Sequence, residues 1–257
     1  MNVLKTEMRR GICSWKFAGS VVLILLMGLA GAGDSFSLAE SYLQMDGSLA
    51  GLEQAGWILL QGASQSELFL IAVSMTAAFS YASVFYEEAE NRFVLMSLSR
   101  TSYKAYIGTK VFVTAVSGGY CVICAFCLQT IFCIFAAFSS GEFFGVFMGY
   151  LGQHMLLSLL QWAGLAALSG AFWAVIGGIS AVVMKSRYMA YMAPFILYYI
   201  LSEFQSRYYP ELHFLSPKEW VVSKYLSVGV RYGALIIAVC LASGVYSAVI
   251  RRRVAHV

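Results

Sequence analysis

Cys121, Cys124 and Cys127 stand in C-x-x-C-x-x-C spacing. In a soluble loop that spacing suggests a metal ion or an iron–sulfur cluster held by thiolates. Here it lies inside an apolar run, and steps of three residues along a helix place all three near one face. Packing of small polarizable side chains at a helix interface explains the pattern, with Ser117, Gly118 and Gly119 close by; a thiol-based metal path is the alternative. His154, His213 and His256 are far apart and lack an H-x-x-x-H partner. His154 reads as a lone interfacial histidine, with a pathway contact near the outer face as the alternative. No Ser-His-Asp pattern or paired-carboxylate motif appears, and an intramembrane hydrolase would need charged groups at a depth where they are expensive. The residues therefore offer no catalytic group, no metal set and no cofactor held by this chain. Gln129 and Gln161 are polar side chains inside apolar runs. They either line a pathway or make interhelical hydrogen bonds worth about 1 kcal/mol each.

Electrostatic chemistry remains. The stretch FYEEAENRFVLMSLSRTSYKAYIGTK, residues 85–110, carries Glu87, Glu88 and Glu90 with Arg92, Arg100, Lys104 and Lys110, between two of the most apolar stretches. Glu88 and Arg92 are spaced i,i+4 and can pair on one helix. Phe93, Val94, Leu95, Met96 and Leu98 form an apolar body that cannot all face water. SRTS breaks the run, and Thr101 or Ser102 can cap a second helix. The expected form is helix, tight turn, helix at the membrane surface, with the charges in the cytosol. An ordinary basic loop with an interfacial amphipathic helix is the plainer reading. Such a loop needs only bases, however, and acids add little to topology. Mixed charge beside apolar knobs suits a docking surface, where charge sets register and buried anchors give affinity.

The elements that must position this elbow are membrane spans. The chain has 257 residues, 60% hydrophobic and 12% charged, with a mean hydropathy of +0.74. A globular domain is about 25% charged, so half the usual charge cannot coat a soluble domain of this size. Apolar runs of about 20 residues recur, which implies helices rather than a membrane barrel. Six spans are expected, near residues 17–33, 67–86, 111–138, 154–184, 188–204 and 232–250, with the elbow at 87–110 between the second and third. The whole chain, 1–257, reads as one all-α integral membrane domain. Gly177 and Gly178 could bend the long fourth span, and Pro194 is tolerable within the fifth.

Orientation follows from the bases. With the N-terminus in the cytoplasm, inside segments hold thirteen Lys and Arg residues and outside segments four, Arg207, Lys218, Lys224 and Arg231. Residues 34–66 contain no base at all. Both termini are therefore expected in the cytoplasm. Basic residues, an apolar run and AGAG before Asp34 also describe a cleavable signal peptide, which would leave five spans. The net charge of +4 is dispersed, so nucleic acid is not an expected partner; the lipid bilayer is. Six cysteines avoid polar loops, so no disulfide is expected outside the membrane. Trp15, Trp57 and Tyr188 suit interfacial anchoring. GEFFGVFMGY (141–150) and RYYPELHFLSPKEW (207–220) are too short or interrupted to span. They read as re-entrant or interfacial pieces near an outer gate, or as surface anchors.

The acidic pair after the second span, followed by SRTSYKAYIGTK entering the third, resembles the permease subunits of type-2 ATP-binding-cassette (ABC) exporters. The likeness is to the small six-span Gram-positive type, including lantibiotic-immunity and bacitracin-resistance permeases. FLSPKEWVV, residues 214–222, is similar to that family too, and the layout agrees over the whole chain. The resemblance implies a bacterial cytoplasmic-membrane exporter of an amphipathic or hydrophobic cargo, such as a peptide antibiotic or lipid-like drug. It implies a separate ATPase subunit that binds ATP and Mg, a second permease subunit, and an elbow seated in an ATPase groove. Glu87, Glu88, Glu90, Arg92, Arg100 and Lys104 would couple the two. This chain has no G-x-x-x-x-G-K-[ST] loop, and IGTK at 107–110 is not one. A gradient-driven transporter is a rival reading, which needs an ionisable residue at depth where the spans show none; a non-transporting scaffold is another.

Overall fold

The computed structural model describes residues 3–45, 58–59, 61–99, 101–139, 154–223 and 225–255. Arg100, Trp57, Lys224, His256 and the stretch 141–150 lie outside the described residues. The chain is all-helical among the described residues. The helices are α1 (Val3–Ile12), α2 (Trp15–Gly31), α3 (Gly33–Met45), α4 (Glu67–Thr76), α5 (Val84–Glu90), α6 (Phe93–Leu98), α7 (Tyr103–Ser139), α8 (His154–Val183), α9 (Met189–Tyr208), α10 (Pro217–Val221) and α11 (Val228–Val254). Four stretches are long and apolar enough to cross a membrane: Glu67–Glu90, Tyr103–Cys133, Leu157–Val183 and Val228–Val254. A fifth is added if α1 and α2, bent by 45° at their junction, count as one span. Helix α9, expected to span, falls outside this set. Glu203, Gln205 and Arg207 in its last turns and the tyrosines along it dilute its apolar character.

Close contacts fix the relative directions. Phe17 stacks on Tyr120 with ring centroids 5.9 Å apart, and Gly28 packs against Gln129, so α2 and α7 run parallel. Gly118 of α7 faces Gly170 and Ala174 of α8, and Gly170 faces Val122; these two helices are antiparallel. Tyr232 covers Gly164 and Tyr246 covers Gly178, so α11 runs with α8. Small residues permit these approaches, since interhelical packing in lipid depends on close backbone contact. A Cβ at Gly118 would lie 2.8 Å from the Gly170 carbonyl oxygen.

Two features bear on helix shape. The glycine pair 177–178 does not break α8, which is continuous through it. Gly177 instead admits the Ala190 backbone, and Gly178 seats the Tyr246 ring. The second span, read as one helix, is interrupted by a 3-10 turn at Ala77–Phe79 before α5 begins. Ser74, Thr76 and Ser80 donate their hydroxyls back to the Ile71, Ala72 and Ala77 carbonyls, a local competition that bends helices. The three cysteines also diverge. Cys121 is buried, Cys124 half-buried and Cys127 exposed. Each three-residue step falls about 60° short of a full turn, so the row drifts around the helix.

Candidate functional site

The site grows from a helix the sequence reading did not separate. Helix α1 is amphipathic and ends at Ile12, and Ser14 caps the next helix by accepting from the Phe17 amide at 3.1 Å. The bend lays α1 along α7, where Gly11 fits against Tyr81, Val113 and Ser117. A larger residue at 11 would press on Tyr81 Cδ2, 3.2 Å from an added Cβ. This placement points Glu7 and Arg10 at the base of the elbow.

There they meet a buried lysine. Lys110 of α7 is 1% exposed and Glu88 of α5 is 3% exposed. The Lys110 ammonium lies 2.8 Å from Glu88 Oε1 and 3.0 Å from Glu7 Oε2, and donates to the Tyr81 hydroxyl at 3.1 Å. Arg10 Nη1 reaches the same Glu88 Oε1 at 2.6 Å. The Tyr106 hydroxyl donates to Glu88 Oε2 at 2.9 Å, and the Tyr81 hydroxyl donates to Glu7. Two acids and two bases thus close a charge-balanced network with two phenols. Burial of ions is tolerable only when each finds this kind of partner set. The rings of Tyr81 and Tyr106 also flank the ammonium, with centroids 5.4 and 5.5 Å away.

Glu88 is therefore interior, and the expected Glu88–Arg92 pair does not form. Helix α5 ends at Glu90, and Arg92 takes a left-handed conformation with φ 56° at the start of α6. The i,i+4 relation holds only on a continuous helix, so this turn separates the two side chains. The expected break at SRTS falls between α6 and α7, but the first helix of the expected pair is itself split at Arg92 into α5 and α6. Ser102 directly precedes α7 and its carbonyl accepts from the Tyr106 amide at 3.0 Å, while the Thr101 hydroxyl donates back to the Ser97 carbonyl at 2.6 Å. Of the apolar body, Val94 is buried while Phe93, Leu95 and Met96 are exposed.

The other expected site residues separate into groups. Glu87 is half-buried, 3.1 Å from Lys16 Nζ, and accepts from Ser83 at 2.9 Å. Ser83 in turn accepts from Tyr191 of α9 at 3.0 Å. Glu90 is exposed and lines a cleft of about 560 Å³ with Glu87, Asn91, Lys185 and Arg187. Arg92 and Lys104 are exposed. Gln129 is 2% exposed against Gly28, and neither polar atom of its amide has a hydrogen-bond partner among the described residues. Gln161 is half-buried on α8, and its backbone carbonyl accepts from Tyr232 at 2.8 Å. The two glutamines face different helix interfaces. Among the described residues no group of three His, Cys, Asp or Glu side chains could hold a metal ion.

Glu7, Arg10, Tyr81 and Tyr106 were missed from sequence, and Lys110 was counted only as a topological charge. One local signal existed: Tyr106 and Lys110 are four residues apart at the entrance of an apolar run, so they share one helix face. At the far end, Glu67 and Glu203 pair with Lys218 and Arg207 at 3.9 and 2.8 Å. There the Trp220 ring packs on Phe172 and Trp173, with centroids 5.4 and 6.1 Å away. Phe172 lies eight residues nearer the elbow than Gly164, about 12 Å along the axis, so the Trp220 ring dips into the bundle. No family model, no curated protein and no solved structure matches the chain.

Proposed function

We propose that this chain is the membrane-spanning permease subunit of an ABC exporter in a bacterial cytoplasmic membrane. It crosses six times with both termini in the cytoplasm, pairs with a second permease, and is driven by ATP and Mg bound in a separate ATPase subunit. One observation carries the reading. An elbow with exposed Phe93, Leu95 and Met96 is fastened at its base to α1 and α7 through Glu88, Arg10 and Lys110. A push on the elbow tip is thereby transmitted to two other helices instead of being absorbed in a loop. Glu90 and Arg92 are the exposed charges that would meet an ATPase, with Arg100 beside them in sequence; Glu87 and Glu88 act through the base. The cargo is amphipathic or hydrophobic.

The test is co-purification from native membranes with Glu90→Lys and Arg92→Glu, which leave the buried network untouched. An ATPase that accompanies the wild-type chain and is lost from the variant supports the elbow as its dock. An ATPase retained in the variant moves the dock elsewhere. No ATPase with an intact wild-type chain overturns the reading in favour of a scaffold or a gradient-driven carrier.

A gradient-driven transporter has one observation of its own. Lys110, taken from sequence as a loop charge, is instead a buried ionisable group with two carboxylate partners, the kind of group that marks a proton relay. Proton uptake into vesicles containing the purified chain alone, abolished by Lys110→Met, would favour it.

A further inference from the structure

A groove of about 590 Å³ opens between α7, α8 and α11. Gly108, Ala115 and Gly119 of α7, Ala171 of α8, and Ser243 and Ser247 of α11 line it. Its surface is almost wholly apolar, and the Ser247 hydroxyl is spent on the Gly244 carbonyl at 2.7 Å. Small side chains leave the space, and nothing in the described chain fills it. From Gly108 to Ile123 it runs along fifteen residues of α7, about 22 Å. One leaflet is half of a hydrocarbon core about 30 Å thick, so the groove is long enough for a full acyl chain.

The elbow end of the groove is marked by charge. On α7 the groove face continues one turn back from Gly108 to Lys104. On α11 the row Val239, Ser243, Ser247 continues at the same four-residue spacing to Arg251. Side chains four apart on a helix share a face, so both walls end in a cation at the same end. The Tyr103 hydroxyl donates to the Arg251 carbonyl at 3.2 Å and ties these helix ends together. Lys104 and Arg251 are exposed. Among the described residues neither side chain is in an ion pair.

We infer that this groove is a binding site for an anionic phospholipid of the elbow-side leaflet. One acyl chain lies between α7 and α11, and the phosphate group sits between Lys104 and Arg251. Basic positions between transmembrane helices on the cytoplasmic side recognise anionic headgroups through the same combination of charge and apolar slot. The site does not depend on the chain being a permease.

Native mass spectrometry of the purified full chain, in micelles with equal phosphatidylglycerol and phosphatidylcholine, tests it. The wild-type chain is expected to retain phosphatidylglycerol preferentially. Lys104→Ala and Arg251→Ala should each lower that preference about fivefold, since one surface cation contributes about a factor of five to anionic-lipid attraction. The charge-conserving pair Lys104→Arg and Arg251→Lys should keep it. Ser243→Phe fills the groove and should remove the retained lipid while leaving both cations in place. Equal retention of the two lipids by the wild type overturns the site. So does undiminished phosphatidylglycerol in Ser243→Phe, or its displacement by inorganic phosphate, because either places the anion without the acyl chain.

Discussion

At the elbow end, α5 is held by Arg10 and Lys110 converging on one carboxylate, within 2.6 and 2.8 Å. At the other end, α10 is held by the Trp220 ring against Phe172 and Trp173, with Trp173 also edge-on to Tyr198 at 6.0 Å. The first fastening is directional: a shift of one residue in α5 would leave buried charges without partners. The second is an area contact, and rings can slide over one another at small cost. An element that must pass on a displacement is better served by the first. An element that must yield is better served by the second.

The largest effect should come from Lys110→Met. Removing one member of a buried ion network strands the others and costs about 3–5 kcal/mol. Thermal unfolding of the purified protein should show it, and adding Glu7→Gln should recover part of the loss, since Glu7 loses its ion-pair partner with Lys110 while Glu88 keeps Arg10. A loss under about 1 kcal/mol would mean that water reaches the network, and the contrast between the two ends would collapse. Trp220→Ala comes next. It removes two ring contacts worth about 0.5–1.5 kcal/mol each, so about 1–3 kcal/mol in total, and limited proteolysis should find residues 209–227 more accessible. If Trp220→Ala costs more than Lys110→Met, the aromatic end is the stiffer one. The smallest effect belongs to Lys16→Ala. Its partner Glu87 is 3.1 Å away but Lys16 is half exposed, so the loss should stay within about 1 kcal/mol and fade as salt is raised. A salt-independent loss would show the ion network reaching outward to include that pair.

Much of the fold was legible because a span announces itself. Runs such as 111–138 and 232–250 are apolar over the length that a bilayer demands, and they are helices here. The bend before α2 was not legible: α1 is ten residues with three bases and one acid, too short and polar to give a span signal. The elbow's outline was readable from its breakers, but its pairing was not. Local spacing joined Glu88 to Arg92, while the chain joins it to Arg10 and Lys110, 78 and 22 residues away. Long-range charge partners leave no periodic trace, and the left-handed residue at 92 has no glycine to flag it. Gln129 was singled out as a polar residue in an apolar run, but nothing in sequence pointed to Gly28 as the residue it meets.

The buried network also sets an order of events during synthesis. Arg10 and Glu7 leave the ribosome first, and Lys110 follows about 100 residues later, an interval of about 5–20 s at ordinary elongation rates. Until then α1 carries its charges with no buried partner, and it must wait at the membrane surface. Assembly of the elbow base is therefore a late event that checks whether α4–α5 and α7 have been placed with the elbow on the same side as α1. A chain with either segment inverted would separate Glu88 and Lys110 from α1 and leave it undocked, an exposed basic helix for quality-control proteases to find.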